Sequence, residues 1–333
     1  MPVLNIALVS SEDFAKSLGK KGDVRDVESY VHKEVVDDDI RVLSFIRPLR
    51  HPEKLRPLLS VLNVAKVGIV EISKIDACLG EILVAFSTAQ INQGHAIISP
   101  NEGEWIDANQ VKLILSQAGL EGWKIHESIP DTHDLRTSLF TLMDTFSSER
   151  EMTEKASLVI PIDQHFNVKG VGLVAIGYVQ SGTISKHDEI VVQPAGEKGI
   201  TRSLQVMDDD VETSKTGDRV GVAIRNLREE ALHRGCVLTH SETEALTQHK
   251  ISEFSLAIAP FQKRELNEGD VIHGAIDLQF VVGRITSIEN NKIVVEWEQP
   301  LCIRNENPDA LIIAQLDAGN MRIMGIAENL RTM

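Results

Sequence analysis

The chain predicts three parts: an α/β domain on a mostly parallel sheet, then two all-β units. Three observations predict this. Short apolar runs alternate with helical periodicities over residues 1 to about 130. From Ser157 onward the pattern changes to short Val- and Ile-rich runs separated by Gly, Asp and Asn turns, the signature of antiparallel barrels or sandwiches. A second break near His240 to His249 divides this β-rich part into two units of similar size. At 333 residues the chain is long enough for each part to have its own core.

The strands expected in the first part are Leu4 to Val9, Ile40 to Ile46, Val67 to Ile72, His95 to Ser99 and Trp123 to His126, each an apolar run of strand length. Between them Glu53 to Leu62, Ala77 to Asn92 and Asp107 to Ala118 carry helical spacing, and such alternation predicts helices on both faces of the sheet. Asp131 to Lys155, with a helical pattern around Leu135 to Phe146, reads as the linker. The boundaries follow as 1–152, 153–245 and 246–333.

Lys plus Arg is 34 against 49 Asp plus Glu, a formal charge of −15, which opposes indiscriminate binding to DNA or to anionic membranes while leaving room for a local basic site. No apolar run approaches the length of a membrane helix and the N-terminus lacks a signal-peptide pattern, so a cytoplasmic protein is expected. Cys78, Cys236 and Cys302 are far apart, with no CxxC pair, and read as free thiols; no metal site is expected.

Residues 10 to 17 read Ser-Ser-Glu-Asp-Phe-Ala-Lys-Ser, the frame of a Gly-x-x-x-x-Gly-Lys-Ser phosphate loop with both glycines replaced, by Ser10 and Ala15. Lys16 and Ser17 occupy the places of the phosphate-binding lysine and the magnesium-binding hydroxyl, directly after a strand. Such a loop works by converging backbone N–H groups on phosphate oxygens, which glycine permits and a Cβ hinders. Glu12 and Asp13 add two carboxylates where an anion would sit. Lys16 and Ser17 therefore read either as remnants at a helix start or as a residual anion site.

The second part carries a more specific signal. Ile162-Asp-Gln-His-Phe-Asn-Val-Lys-Gly-Val-Gly-Leu-Val-Ala-Ile-Gly-Tyr-Val-Gln-Ser-Gly182, Thr201-Arg-Ser-Leu-Gln-Val-Met, Lys215-Thr-Gly-Asp-Arg-Val-Gly-Val-Ala-Ile and His233-Arg-Gly-Cys-Val-Leu occur in the order found in the second domain of translational GTPases of elongation factor Tu type. The chain resembles that family, and within it the archaeal paralogues of the selenocysteine-specific (SelB-like) branch whose nucleotide motifs are altered. The match is strong in the second part, moderate in the first, and weak in the third, through Asp309-Ala-Leu-Ile-Ile-Ala-Gln-Leu and Met321-Arg-Ile-Met-Gly. The resemblance implies a GTPase-like α/β domain followed by two antiparallel β-barrels.

It also assigns the remaining nucleotide motifs, all altered here. Asp-x-x-Gly falls on Arg47-Pro48-Leu49-Arg50, followed by His51 at the place of the water-positioning histidine; the guanine-reading motif falls on Ser99-Pro100-Asn101-Glu102, keeping only Glu102 as an acid; and no switch threonine lies between Leu18 and Leu43. GTP and magnesium are expected to bind weakly or not at all, and the chain is expected not to be an enzyme. Arg47, Arg50, Lys54 and Arg56 form a basic cluster that is either a solvated face or an RNA or ribosome contact. The resemblance places Asp163, Gln164, Phe166 and Arg219 around the aminoacyl pocket; the plainer reading makes Phe166 core and Asp163 a turn cap. The function implied is that of a translation elongation factor-like protein that binds tRNA or the ribosome with a lost or weak GTP site. A divergent working GTPase and a protein-interaction scaffold are the alternatives.

Overall fold

A seven-stranded sheet with strand order β2-β3-β4-β1-β5-β6-β7 organises the first domain of the computed structural model, which describes residues 1–36 and 39–333. Its strands are β1 (Val3–Val9), β2 (Lys20–Val24), β3 (Val27–Val36), β4 (Asp39–Pro48), β5 (Val67–Ile72), β6 (Gly94–Ile98) and β7 (Lys124–His126). Strands β4, β1, β5, β6 and β7 run parallel, and the β2–β3 ribbon adds antiparallel pairs at one edge. The parallel strands are the continuous apolar runs of the sequence, buried on both faces.

The helices are α1 (Glu12–Leu18), α2 (Arg56–Leu62), α3 (Ala77–Thr88), α4 (Ala108–Gln117), α5 (Thr132–Thr145) and α6 (Ser147–Glu154). Ser11, Asp76, Asp107 and Asp131 cap α1, α3, α4 and α5, each side chain accepting from an otherwise unpaired N–H of the first turn. Helix α2 has no side-chain cap and carries instead Pro57 in its first turn, whose ring supplies the helical φ. One face of the sheet is covered by α1 and α5, through Phe14, Leu18, Leu135, Leu139, Phe140 and Met143. The other is covered by α2, α3 and α4, in a core that runs on into Leu278, Ile312 and Ile323 of the third domain.

The stretch read as a linker is thus partly domain. Helix α5 buries four apolar residues against the sheet, whereas α6 buries none. The β2–β3 ribbon had no counterpart in the sequence reading. Every residue of β2, Lys-Lys-Gly-Asp-Val, is exposed, so no hydrophobic alternation marks it.

Strands β8 (Ile160–Val168), β9 (Gly172–Tyr178), β10 (Thr183–Ser185), β11 (Glu189–Gln193), β12 (Glu197–Val206), β13 (Asp209–Val211), β14 (Thr213–Lys215), β15 (Arg219–Arg225) and β16 (Val237–His240) build the second domain. Six of them follow one another as β11-β16-β8-β9-β15-β12, and the β11–β12 pairing closes the ring. The third domain is a closed barrel, β17-β20-β19-β18-β21-β22, from β17 (Leu246–Ile258), β18 (Val271–Ile276), β19 (Gln279–Glu289), β20 (Lys292–Arg304), β21 (Ile312–Ala314) and β22 (Ile323–Thr332). The expected plan, an α/β domain followed by two antiparallel β-barrels, is the one observed, and both barrels close with six strands. Closure removes the sheet edges that two short, Val-rich units would otherwise expose.

The domains touch through specific backbone groups. Asn5 Nδ2 donates to the Gly217 carbonyl, Gln180 Nε2 to the Asn63 carbonyl, and the Leu278 N–H to Asn63 Oδ1. Gly217 turns with φ +96° between β14 and β15, and a Cβ there would stand 3.1 Å from the Val3 carbonyl oxygen, so both conformation and space favour glycine.

Candidate functional site

At residues 10 to 17 the chain forms no open loop. Strand β1 ends at Val9 and α1 begins at Glu12, with only Ser10 and Ser11 between them. Lys16 Nζ lies 2.9 Å from Glu12 and 3.9 Å from Asp13, Ser17 Oγ donates to the Phe14 carbonyl, and Ala15 is fully buried. Glu71, at the end of β5, accepts the Ser11 N–H at 2.7 Å, so a carboxylate already stands at the start of α1. The Ser10 carbonyl accepts from Arg47 Nε at 2.7 Å. As arranged, Lys16 is held by carboxylates, the Ser17 hydroxyl donates to a backbone carbonyl, and the Ser11 and Phe14 N–H groups are taken by Glu71 and the Ser11 hydroxyl, so these groups are engaged within the chain rather than turned toward a phosphate or a magnesium ion.

The basic residues separate. Arg47 turns inward to Glu28, which is almost buried and also receives Lys21 and the Tyr30 hydroxyl. Burial raises the affinity of the Glu28 carboxyl for a proton, but the hydrogen bonds from Lys21, Tyr30 and Arg47 outweigh it and hold its pKa below the usual range. Arg56 lies over the Phe280 ring of the third domain, 5.8 Å from its centroid, and burial and then Arg234 pull its pKa down. His51 is nearly enclosed, with Nε2 3.0 Å from Glu81. Only Arg50 and Lys54 of the cluster are exposed, and Glu102 is exposed in the loop after β6.

Three of the four proposed pocket residues do meet, around a residue the sequence reading missed. Asp23 of β2 accepts from Gln164 Nε2 at 2.9 Å and from Arg219 at 2.9 Å, while Asp163 lies 3.8 Å from Arg219 and 3.5 Å from Arg234. Arg234 donates in turn to Asp26, at 2.6 Å. Arg219 and Asp23 line a cleft of about 720 Å³ between the β2–β3 edge of the first domain and β9, β12 and β15 of the second, with Lys20, Lys21 and Lys33 on one wall and Ile176, Gln205 and Met207 on the other. Asp163 and Gln164 reach the cleft through Arg219 and Asp23. Phe166, farther along β8, is half-buried and does not line it. Asp23, Asp26 and Arg234 carried no signal: nothing in one sequence pairs a charged edge strand with a barrel 140 residues away.

Known proteins can now be set beside this geometry. The elongation factor Tu domain 2 family matches residues 172–239, which hold β9 to β15 and most of β16. An uncharacterized protein of Methanocaldococcus jannaschii is 29% identical over 95% of this chain and 96% of its own length. The selenocysteine-specific elongation factor of the same organism is 28% identical over 59% of this chain, which spans 45% of that protein. An elongation factor 1-alpha of Pyrobaculum arsenaticum is 35% identical over 30% of this chain. Among solved structures, the translation elongation factor SelB of Methanococcus maripaludis superposes with a TM-score of 0.75, both in its apo form and in complex with the GTP analogue GppNHp, at 18% and 17% identity and over 99% and 100% of this chain.

These comparisons correct one expectation. The named relatives are translation elongation factors, and a structure of this fold holds a GTP analogue, so the expectation that the chain is not an enzyme does not stand. No helix among the described residues is long and apolar enough to cross a membrane. The second domain thus matches the elongation factor Tu domain 2 family, the chain is similar in sequence to translation elongation factors, and its fold is that of the selenocysteine-specific factor SelB.

Proposed function

We propose that the chain acts in translation, in the cytoplasm, as an elongation factor-like protein that binds tRNA or the ribosome through its second domain, with GTP and magnesium held weakly. The observation that carries this reading is the cleft beside Arg219. It combines an apolar wall at Ile176 and Met207 with a cationic one at Lys20 and Lys33, a surface suited to a small side chain joined to a phosphate-bearing strand. The weak nucleotide site rests on Lys16, Ser17 and Ser11, whose polar groups are already engaged within the chain.

Two measurements test it. Sedimentation of the purified chain with ribosomes, and gel shift with aminoacylated and deacylated tRNA, should show saturable, salt-dependent association with at least one of them. Association with neither would remove the reading in favour of a protein-interaction scaffold. Titration with fluorescent GTP and GDP should show weak binding, and tight magnesium-dependent binding would instead support a factor driven by GTP.

A further inference from the structure

His51, Cys78 and Glu81 form a chain of contacts where the first domain meets the third. Cys78 Sγ lies 3.7 Å from His51 Nδ1, and His51 Nε2 lies 3.0 Å from Glu81 Oε2. Glu81 is almost completely buried and receives the backbone N–H and guanidinium of Arg322, the residue before β22. A carboxylate gripped by arginine can only accept, so the proton of a neutral His51 sits on Nε2 and Nδ1 presents a lone pair to the Cys78 thiol. Nucleophile, base and orienting carboxylate are thus in series, the arrangement that activates a weak nucleophile. Cys78 is half-buried in the first turn of α3, whereas Cys236 and Cys302 are fully buried.

We propose that Cys78 is a reactive thiol, activated by His51, that exchanges with low-molecular-weight disulfides. His51 Nδ1 takes the thiol proton, and Sγ attacks one sulfur of R–S–S–R. The Sγ–S bond forms as the S–S bond breaks, and the leaving thiolate recovers the proton from His51. Cys78 is oxidised to a mixed disulfide, one half of the reagent is reduced to a thiol, and excess thiol reverses the reaction. The charges facing Cys78 are Asp76 and Glu81 of its own helix region, Lys74 before it and Arg322 across the junction. Burial, then Asp76 and Glu81, push the thiol up, so without a base it would stay protonated and slow at neutral pH.

The test treats the native chain with dipyridyl disulfide and follows thiopyridone release. One thiol per chain should react in a fast phase, and Cys78→Ser should abolish that phase. His51→Ala should slow it by about a hundredfold at neutral pH, with added imidazole restoring part of the rate. Should His51→Ala not fold, the pH profile of the unchanged protein decides: an unassisted thiol gains about tenfold per pH unit below its pKa, whereas one assisted by His51 gains much less between about pH 7 and 9. A rate indifferent to His51, or a full unassisted rise with pH, overturns the proposal.

Discussion

Asp23 of the first domain accepts a hydrogen bond from Arg219 of the second at 2.9 Å, and this pair closes one side of the cleft between the two domains. Burial works against the Asp23 carboxylate, but Gln164 and Arg219 outweigh it, so its pKa lies below the usual range. The contact therefore strengthens above the ordinary carboxylate range and weakens as pH falls through the lowered value. Asp23→Ala is expected to change overall stability by less than about 1 kcal/mol, because the pair is partly exposed. It should nevertheless loosen the β2–β3 ribbon, which has few other attachments to the barrel. Amide exchange in residues 20–24 checks this: faster exchange in Asp23→Ala, with the rest of the chain unchanged, is the expected outcome, and unaltered exchange there would show that the pair does not hold the ribbon.

Glu81 carries a larger effect. Burial alone would raise its pKa, but hydrogen bonds from Arg322 and His51 hold it down at about 2, from an ordinary 4.5. That difference corresponds to about 3 kcal/mol favouring the folded chain. Because the folded value is the lower one, the contribution is complete above pH 4.5 and is lost as pH falls from there toward 2. Glu81→Gln should cost about 3 kcal/mol at neutral pH, since it leaves the Arg322 guanidinium without its anion. Denaturant unfolding measured at several pH values should show a flatter acid limb in the variant. An acid limb as steep as that of the unchanged protein would place the acid sensitivity elsewhere.

The two cases show what a single sequence discloses. Parallel strands such as Val67–Ile72 were legible because burial on both faces writes an unbroken apolar run, and the barrel of the second domain because four ordered segments carry it. Helix α5 was legible as a helix but not as core, since its apolar spacing says that one face is buried and not against what. The β2–β3 ribbon was illegible: its outer strand is wholly exposed and its role lies in the carboxylates it offers to another domain. The same limit applies to the basic cluster. Arg47, Arg50, Lys54 and Arg56 look alike in sequence, yet burial and the position of Glu28, Phe280 and Arg234 give them different surroundings.

Those surroundings separate Arg47 from Arg50 and Lys54 experimentally. Arg47 Nη1 donates to Glu28 at 2.7 Å and Nε to the Ser10 carbonyl, so Arg47→Ala removes charge-assisted bonds from a buried carboxylate and should cost about 1.5 to 3 kcal/mol of stability. Lys21 and Tyr30 remain to hold Glu28, which keeps the loss within that range. Arg50 and Lys54 are exposed and make no side-chain ion pair among the described residues, so replacing both with alanine should leave stability unchanged to within about 0.5 kcal/mol. If this face meets RNA phosphates, the double variant reduces the slope of log affinity against log salt by about 2 in ribosome or tRNA binding, one for each cation removed. Arg47→Ala, corrected for its stability loss, should leave that slope as it was. A slope altered by Arg47→Ala and untouched by the double variant would mean that Arg47 leaves Glu28 to meet the nucleic acid, and that the inward pairing belongs to the free protein alone.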